Sequence, residues 1–203
     1  MAEITIIPKR CVLAEQLLVE DESNMYTGID SDTCGHVYYN SAYGNAVFQT
    51  FNFELEFDPI TLPERAVING VRIAVKGKQD KLYQPRPKAY ADNKEIAWPS
   101  HNYFTSDVLT LYSGISDKRN FPYIIGADRF YIRIPFELYS SPNSGDLYIY
   151  GAEATIYYFV PDAYIKESGE WKPVRTAYKK VNGQWETIEV SSAFESDKHY
   201  EKG

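Results

Sequence analysis

The stretch F51-N-F-E-L-E-F57 decides the fold. Phe51, Phe53, Leu55 and Phe57 alternate with Asn52, Glu54 and Glu56. A repeat of two puts successive side chains on opposite faces, so this is a β-strand with one apolar face and one polar face. The same repeat recurs outward in both directions. Val67, Val71, Ile73 and Val75 form a second alternating set, with Asn69-Gly70 suited to a bulge or tight bend. Phe130, Ile132, Ile134, Phe136 and Leu138 form a third, in which Pro135 points to a sheet edge or a bulge. A fourth strand is read over 147–160, with Gly151 near its middle and both faces largely apolar or aromatic. Shorter candidates lie at 4–7, 11–19, 82–90 and 106–112.

No segment carries a sustained 3.6-residue amphipathic pattern with caps, and only 11–20 is ambiguous. The expected fold is therefore all-β, a jelly-roll-like antiparallel β-sandwich of about eight strands. Residues 21–45 are polar and Gly-rich. They are expected to form a long, mobile surface loop. The expected organisation is a β-sandwich domain over 1–161, two 14-residue hairpin-like repeats over 162–190 and a polar terminus over 191–203.

The 203 residues suffice for one sizeable domain and an appendage. Eighteen of them are tyrosine, a residue suited to surfaces that are partly wet and partly buried. The net charge is −7, of which −6 falls in 1–160 and −1 in 161–203. Neither part is a basic module, which argues against a nucleic-acid partner. No apolar run reaches the length of a membrane span, so no membrane partner is expected. The opening M1-AEITIIPK-R10 has no basic region followed by a long apolar core, so no signal peptide is expected.

Reactive constellations are scarce. No phosphate-binding glycine loop, zinc-protease motif or nucleophile elbow occurs. Cys34 and His36 offer half a zinc site, with Cys11 the one obvious third ligand, and a closed site needs four. Asp30 and Asp32, with Asp21 and Asn24, place oxygen ligands as calcium requires, without the spacing of a dedicated loop. Glu54 and Glu56 share a strand face and resemble a hydrolytic carboxylate pair, but a half-solvated strand looks the same. Cys11 and Cys34 are expected to be free thiols. The expectation is no metal, no cofactor, no catalytic residue and no enzyme activity. Trp98, Tyr90 and Tyr103 lie amid polar loop sequence and suit contacts to a glycan or a protein. For Trp98 a cap on the core is an equal alternative.

The segment Y164-IKESGEWKPVRTAYKKVNGQWET-I188 says nearly the same thing twice at an offset of 14. Tyr164 matches Tyr178, Gly169 matches Gly183, Trp171 matches Trp185 and Val174 matches Ile188. Ser-Gly and Asn-Gly suit tight hairpin turns. Lone hairpins are marginal in water, so each must dock on something. These six aromatic and β-branched residues are the expected interface, docked either on the subunit's own body or on a neighbour.

The stretches L62-PERAVINGVRIAVKG-K78 and G151-AEATIYYF-V160 resemble strands of tailed-bacteriophage virion structural proteins. The tryptophan repeats are similar to short modules that end such proteins. The resemblance covers roughly 26–160. It implies a non-enzymatic subunit, made in the host cytoplasm and located in the virion. Its partners would be other virion proteins, and the subunit would be a homo-oligomer on the head or tail. A carbohydrate-binding or host-adhesion domain, with surface glycans as ligands, is the alternative.

Overall fold

A computed structural model describes residues 2–44, 49–96, 103–113, 124, 127–138, 145–161, 164–173, 177–181, 184–188 and 200–201. The chain divides into two compact units, one of Met1–Thr61 with Ile68–Tyr157, the other of Leu62–Val67 with Tyr158–Gly203. Among the described residues no helix is long and apolar enough to cross a membrane.

The first unit is built from eleven strands, of which β6 and β11 each have an end assigned to the second: β1 (Ala2–Ile6), β2 (Pro8–Leu13), β3 (Leu17–Glu20), β4 (Gly35–Tyr39), β5 (Gln49–Phe57), β6 (Val67–Asp80), β7 (Lys88–Ala91), β8 (Lys94–Ile96), β9 (Leu109–Tyr112), β10 (Phe130–Leu138) and β11 (Asp146–Phe159). They form two antiparallel sheets. The five-stranded sheet has the order β2-β5-β10-β7-β8. The six-stranded sheet has the order β3-β4-β11-β6-β9, with β1 paired to β11.

The core lies between the sheets. Phe53, Leu55, Ile132, Ile134 and Phe136 from the five-stranded sheet are buried with Val37, Ile73, Val75, Leu147 and Ile149 from the six-stranded one. Tyr39 of β4 meets Phe51 of β5 with ring centroids 5.5 Å apart, one contact between the layers. Each such large side chain contributes roughly 1.5–3 kcal/mol when taken out of water. The fold is thus all-β with two antiparallel sheets, as the alternation requires.

Two local expectations are corrected. Pro135 is not on an edge strand, because β10 is the central strand of its sheet. β10 pairs with β5 along its whole length, but with β7 only over Phe130–Arg133. Pro135 therefore lies beyond the end of β7, where its missing N–H breaks no ladder on that side. Residues 21–45 are also more than a surface loop. They hold a 3-10 turn at Glu22–Met25, strand β4 and a second 3-10 turn at Ser41–Tyr43. Met25 and Val37 are fully buried. The sequence hid this strand because β4 is only five residues long and alternates only Val37 and Tyr39 inward.

The connection into β4 docks where Gly151 leaves room. A Cβ on Gly151 would stand 2.3 Å from the Gly28 carbonyl oxygen and 2.7 Å from that of Thr27. The Ala152 amide donates to the Thr27 carbonyl at 3.1 Å. The Thr27 hydroxyl donates to the Tyr150 carbonyl at 3.0 Å. Only glycine admits a backbone this close.

The second unit holds β12 (Tyr164–Glu167), β13 (Glu170–Pro173), β14 (Ala177–Val181), β15 (Gln184–Ile188) and β16 (Tyr200–Glu201). β12 and β13 are antiparallel, with Lys166 opposite Trp171 and Tyr164 opposite Pro173. β14 and β15 are antiparallel, with Lys180 opposite Trp185 and Tyr178 opposite Thr187. β16 lies parallel to β12. Ser168 and Gly169 both take positive φ, 54° and 86°, as a tight hairpin turn demands. Asn182-Gly183, Val174 and most of 191–203 lie outside the described residues.

Candidate site on the outer face of the five-stranded sheet

The polar alternates of β5 face away from the core, yet they are not half-solvated. Glu54 and Glu56 are only 7% and 5% exposed. Two neighbouring carboxylates on one strand face repel each other, and burial worsens this by removing water. The structure answers with three arginines. The β2–β5 register sets Arg10 opposite Glu56, and the β5–β10 register sets Arg133 opposite Glu54. Arg129, one residue before β10, reaches both.

The bonds engage all four carboxylate oxygens. Arg133 donates from Nε to Glu54 Oε1 at 2.8 Å. Arg129 donates from Nη2 to Glu54 Oε2 at 3.0 Å and from Nε to Glu56 Oε1 at 2.6 Å. Arg129 Nη2 also bonds Glu56 Oε1, and Arg10 bonds Glu56 Oε2 through Nε and Nη2. Burial alone would push the Glu56 carboxyl up. The hydrogen bonds from Arg129 and Arg10, with their charges, outweigh it and hold the group below the usual carboxylate range. The bond to Glu56 in turn holds Arg129 protonated, against its own desolvation.

Aromatic rings complete the face. Tyr131 and Tyr90 are cross-strand neighbours on β10 and β7, stacked at 5.2 Å and 10°. The Arg129 guanidinium lies 4.7 Å from the centre of the Tyr131 ring, and that of Arg133 lies 4.8 Å from the Tyr90 ring. Each arginine is therefore fixed twice, by a carboxylate and by a π-face. Lys88 and Glu95 pair at 3.0 Å at the far edge.

Beside this array opens a cleft of about 250 Å³, lined by Lys9, Arg10, Glu56, Asp58, Asp128 and Arg129, with Phe57 and Pro59. Lys9 pairs with Asp58. The Asp128 carboxylate has no ion-pair partner among the described residues. An ionised Glu56 with both oxygens engaged accepts hydrogen bonds and gives up no proton at neutral pH. Glu56 is thus not the proton donor of a hydrolytic carboxylate pair.

Of the residues singled out from sequence, Tyr90 belongs to this face. Tyr103 does not share its contacts, standing instead under the Arg86 guanidinium at 5.7 Å. Trp98 lies outside the described residues. Trp171 and Trp185 sit on β13 and β15, Tyr164 and Tyr178 on β12 and β14, and Ile188 ends β15. The sequence reading missed Arg10, Arg129, Arg133 and Tyr131. A signal existed: Tyr131 and Arg133 are off-face residues of the Phe130–Leu138 alternation, and the charge of Arg133 complements the off-face glutamates of β5.

The metal half-sites are filled by protein groups. His36 is bonded through Nε2 to Asp146 Oδ1 at 2.7 Å and stacked between Tyr38 and Tyr148. Near Asp32 the cation is Lys76, whose ammonium donates to the Ser31 carbonyl at 2.7 Å. No group of three metal-ligating side chains occurs among the described residues. Cys11 and Cys34 are free. Burial pushes the Cys11 thiol up to about 11.

No family model matches the chain, and no curated protein matches it in sequence. Among solved structures it is similar to the Stig cyclase Fisc from Fischerella sp. TAU, solved in complex with (3Z)-3-(1-methyl-2-pyrrolidinylidene)-3H-indole. The identity is 13% and the TM-score 0.44, over 77% of this chain and 98% of that one. It is also similar to a CBM4 structure at 12% identity and a TM-score of 0.31, over 71% of this chain and 94% of that one. Neither is a bacteriophage virion protein. The resemblance drawn from 62–78 and 151–160, and with it the virion, capsid or tail role, is corrected. Those stretches are alternating strands of a kind any sandwich requires. The firm expectation of no enzyme activity is corrected too, because a cyclase is among the similar folds. At these scores neither structure assigns a chemistry to this chain.

Proposed function

We propose that the chain is a carbohydrate-binding β-sandwich, with its ligand held on the outer face of the five-stranded sheet. The observation that carries this reading is the fixed array of Arg10, Arg129, Arg133, Glu54, Glu56 and Tyr90, set over the buried Tyr131 ring, beside an open polar cleft. Sugars present hydroxyls at set angles, and planar guanidiniums held by carboxylates meet them without losing rotamer freedom. A few fixed polar groups beside aromatic rings are the usual means of orienting a small ligand. The cleft volume suits one sugar ring. We read the finer topology as a jelly roll. Successive strands largely alternate between the sheets, as in β4-β5-β6-β7 and β8-β9-β10-β11.

The test is a glycan array followed by calorimetry on the hits, with Tyr90→Ala and Asp128→Ala as site variants. The expected result is a bound glycan whose affinity falls about tenfold or more in either variant, with the melting temperature unchanged in Asp128→Ala and lowered in Tyr90→Ala, whose ring also packs on Tyr131. Binding that is untouched by both variants would move the site elsewhere. Absence of binding to any glycan would remove the reading.

A second reading concerns the C-terminal strand pairs. Their registers correspond at an offset of 14, Lys166 and Trp171 matching Lys180 and Trp185. We read them as a short repeated appendage that attaches the subunit to a protein partner through Trp171 and Trp185, with Tyr164, Tyr178, Val174 and Ile188 beside them. A second copy of this chain is the partner we favour, because a small subunit builds closed assemblies by symmetry.

A further inference from the structure

We infer that the carbohydrate this face takes is acidic, a uronic acid whose carboxylate is bound by the outward corners of the arginines. This rests on the carbohydrate reading and names the ligand class for the same site. It follows from an inventory of spent and unspent hydrogen-bonding groups. A guanidinium carries five N–H donors in one plane. Arg10, Arg129 and Arg133 all turn the same edge, Nε and Nη2, toward the glutamates. The planar geometry carries Nη1 to the side away from the carboxylates. Among the described residues Nη1 makes no hydrogen bond in any of the three.

The glutamate acceptors of the array, by contrast, are all engaged. All four oxygens of Glu54 and Glu56 accept from arginine, and the Tyr131 hydroxyl lies 3.4 Å from Arg133 Nη2. What the array offers a ligand is therefore donors. The side chains of Arg129 and Arg133 are 43% and 33% exposed, so both reach solvent.

Bond strength points the same way. Glu54, Glu56 and Asp128 balance the three arginines in charge, and a ligand carboxylate at the guanidinium corners makes charge-assisted bonds, stronger than those from neutral hydroxyls. Asp128 is the complementary element. Its carboxylate accepts, so it suits the ring hydroxyls of the same sugar and keeps the acid group toward Arg129 and Arg133. A uronic acid carries both functions on one ring. The chain's net charge of −7 opposes long-range capture of a polyanion. Recognition must then be short-range and suited to short oligomers.

The experiment compares short oligogalacturonides with the same oligomers as full methyl esters, by calorimetry, beside short alginate oligomers and a neutral glycan panel. The expected result is binding of an acidic oligomer at least tenfold tighter than its ester. It should fall about tenfold in Arg133→Lys, which keeps the charge and loses the planar donors. Should Arg133→Lys not fold, Arg10→Lys serves, since that side chain is 68% exposed. Equal or tighter binding of the ester overturns the inference and leaves the carbohydrate reading standing. Binding of neutral glycans alone does the same. Silence from every glycan overturns both.

Discussion

Arg133 lies directly opposite Glu54 across the β5–β10 ladder, and its Nε meets Glu54 Oε1 at 2.8 Å. The carboxylate is buried and the guanidinium only partly so. Removing the arginine leaves Glu54 with Arg129 alone. Arg133→Ala should therefore lower stability by roughly 1–2 kcal/mol, the cost of a weakened charge-assisted bond discounted for the partly exposed guanidinium. Chemical denaturation checks this. Glu54→Gln with Arg133→Ala should recover part of the loss, because the buried charge is then gone.

Acid should loosen this face. The folded state holds the Glu56 carboxyl below its unfolded value, so its ionised form is the one that folding favours. That contribution is fully present above the ordinary carboxylate pKa of about 4.3 and is lost as pH falls through the lower folded value. The melting temperature should fall through this acidic range. Glu56→Gln should be less stable at neutral pH and show a shallower acid decline. An unchanged acid profile in Glu56→Gln would refute the assignment.

Gly151→Ala should be costly although alanine is small. The new Cβ meets backbone, the carbonyl oxygens of Gly28 and Thr27, which cannot rotate aside. The connection into β4 must then lift and give up the 3.1 Å bond from Ala152 to Thr27. The expected loss is about 1–3 kcal/mol, typical of overpacking. Limited proteolysis should cut within 21–34 sooner in the variant than in the wild type.

Cys11 should be a slow thiol. Burial, with the nearby Glu22 carboxylate adding to it, pushes its pKa up to about 11. The thiolate is the reactive form. With Cys34→Ser leaving Cys11 alone, labelling by a disulfide reagent at pH 8 should be at least tenfold slower folded than in denaturant. Equal rates would show that the thiol is open and unperturbed.

The tryptophan pair separates attachment from folding. Trp171→Ala with Trp185→Ala should weaken self-association strongly and leave the melting of the sandwich nearly unchanged, because paired anchors act through effective concentration. Truncating one buried anchor typically costs about 2 kcal/mol of binding. Sedimentation beside calorimetry measures both. A large drop in sandwich stability with association intact would show that the indoles serve the subunit's own fold.

The sequence by itself determined the all-β class, because an alternation of two such as Phe51 to Phe57 suits only a strand with unlike faces. It also determined part of the core, since Phe53, Leu55, Ile132 and Ile134 are apolar alternates of their strands, but not Met25 and Val37. The pairing of strands only tertiary structure decided. Arg10, Glu56, Tyr131 and Tyr90 come from four strands, and they form one row because the register sets them side by side. Periodicity tells which face a residue takes, but not which strand lies next to it. The same limit explains Glu54 and Glu56. On β5 alone they read as solvated alternates, and they are buried only because long arginine side chains from neighbouring strands cover them. Pro135 repeats the point, for a central strand tolerates proline where its neighbour stops short. That depends on the length of β7 and not on the residues around Pro135 itself.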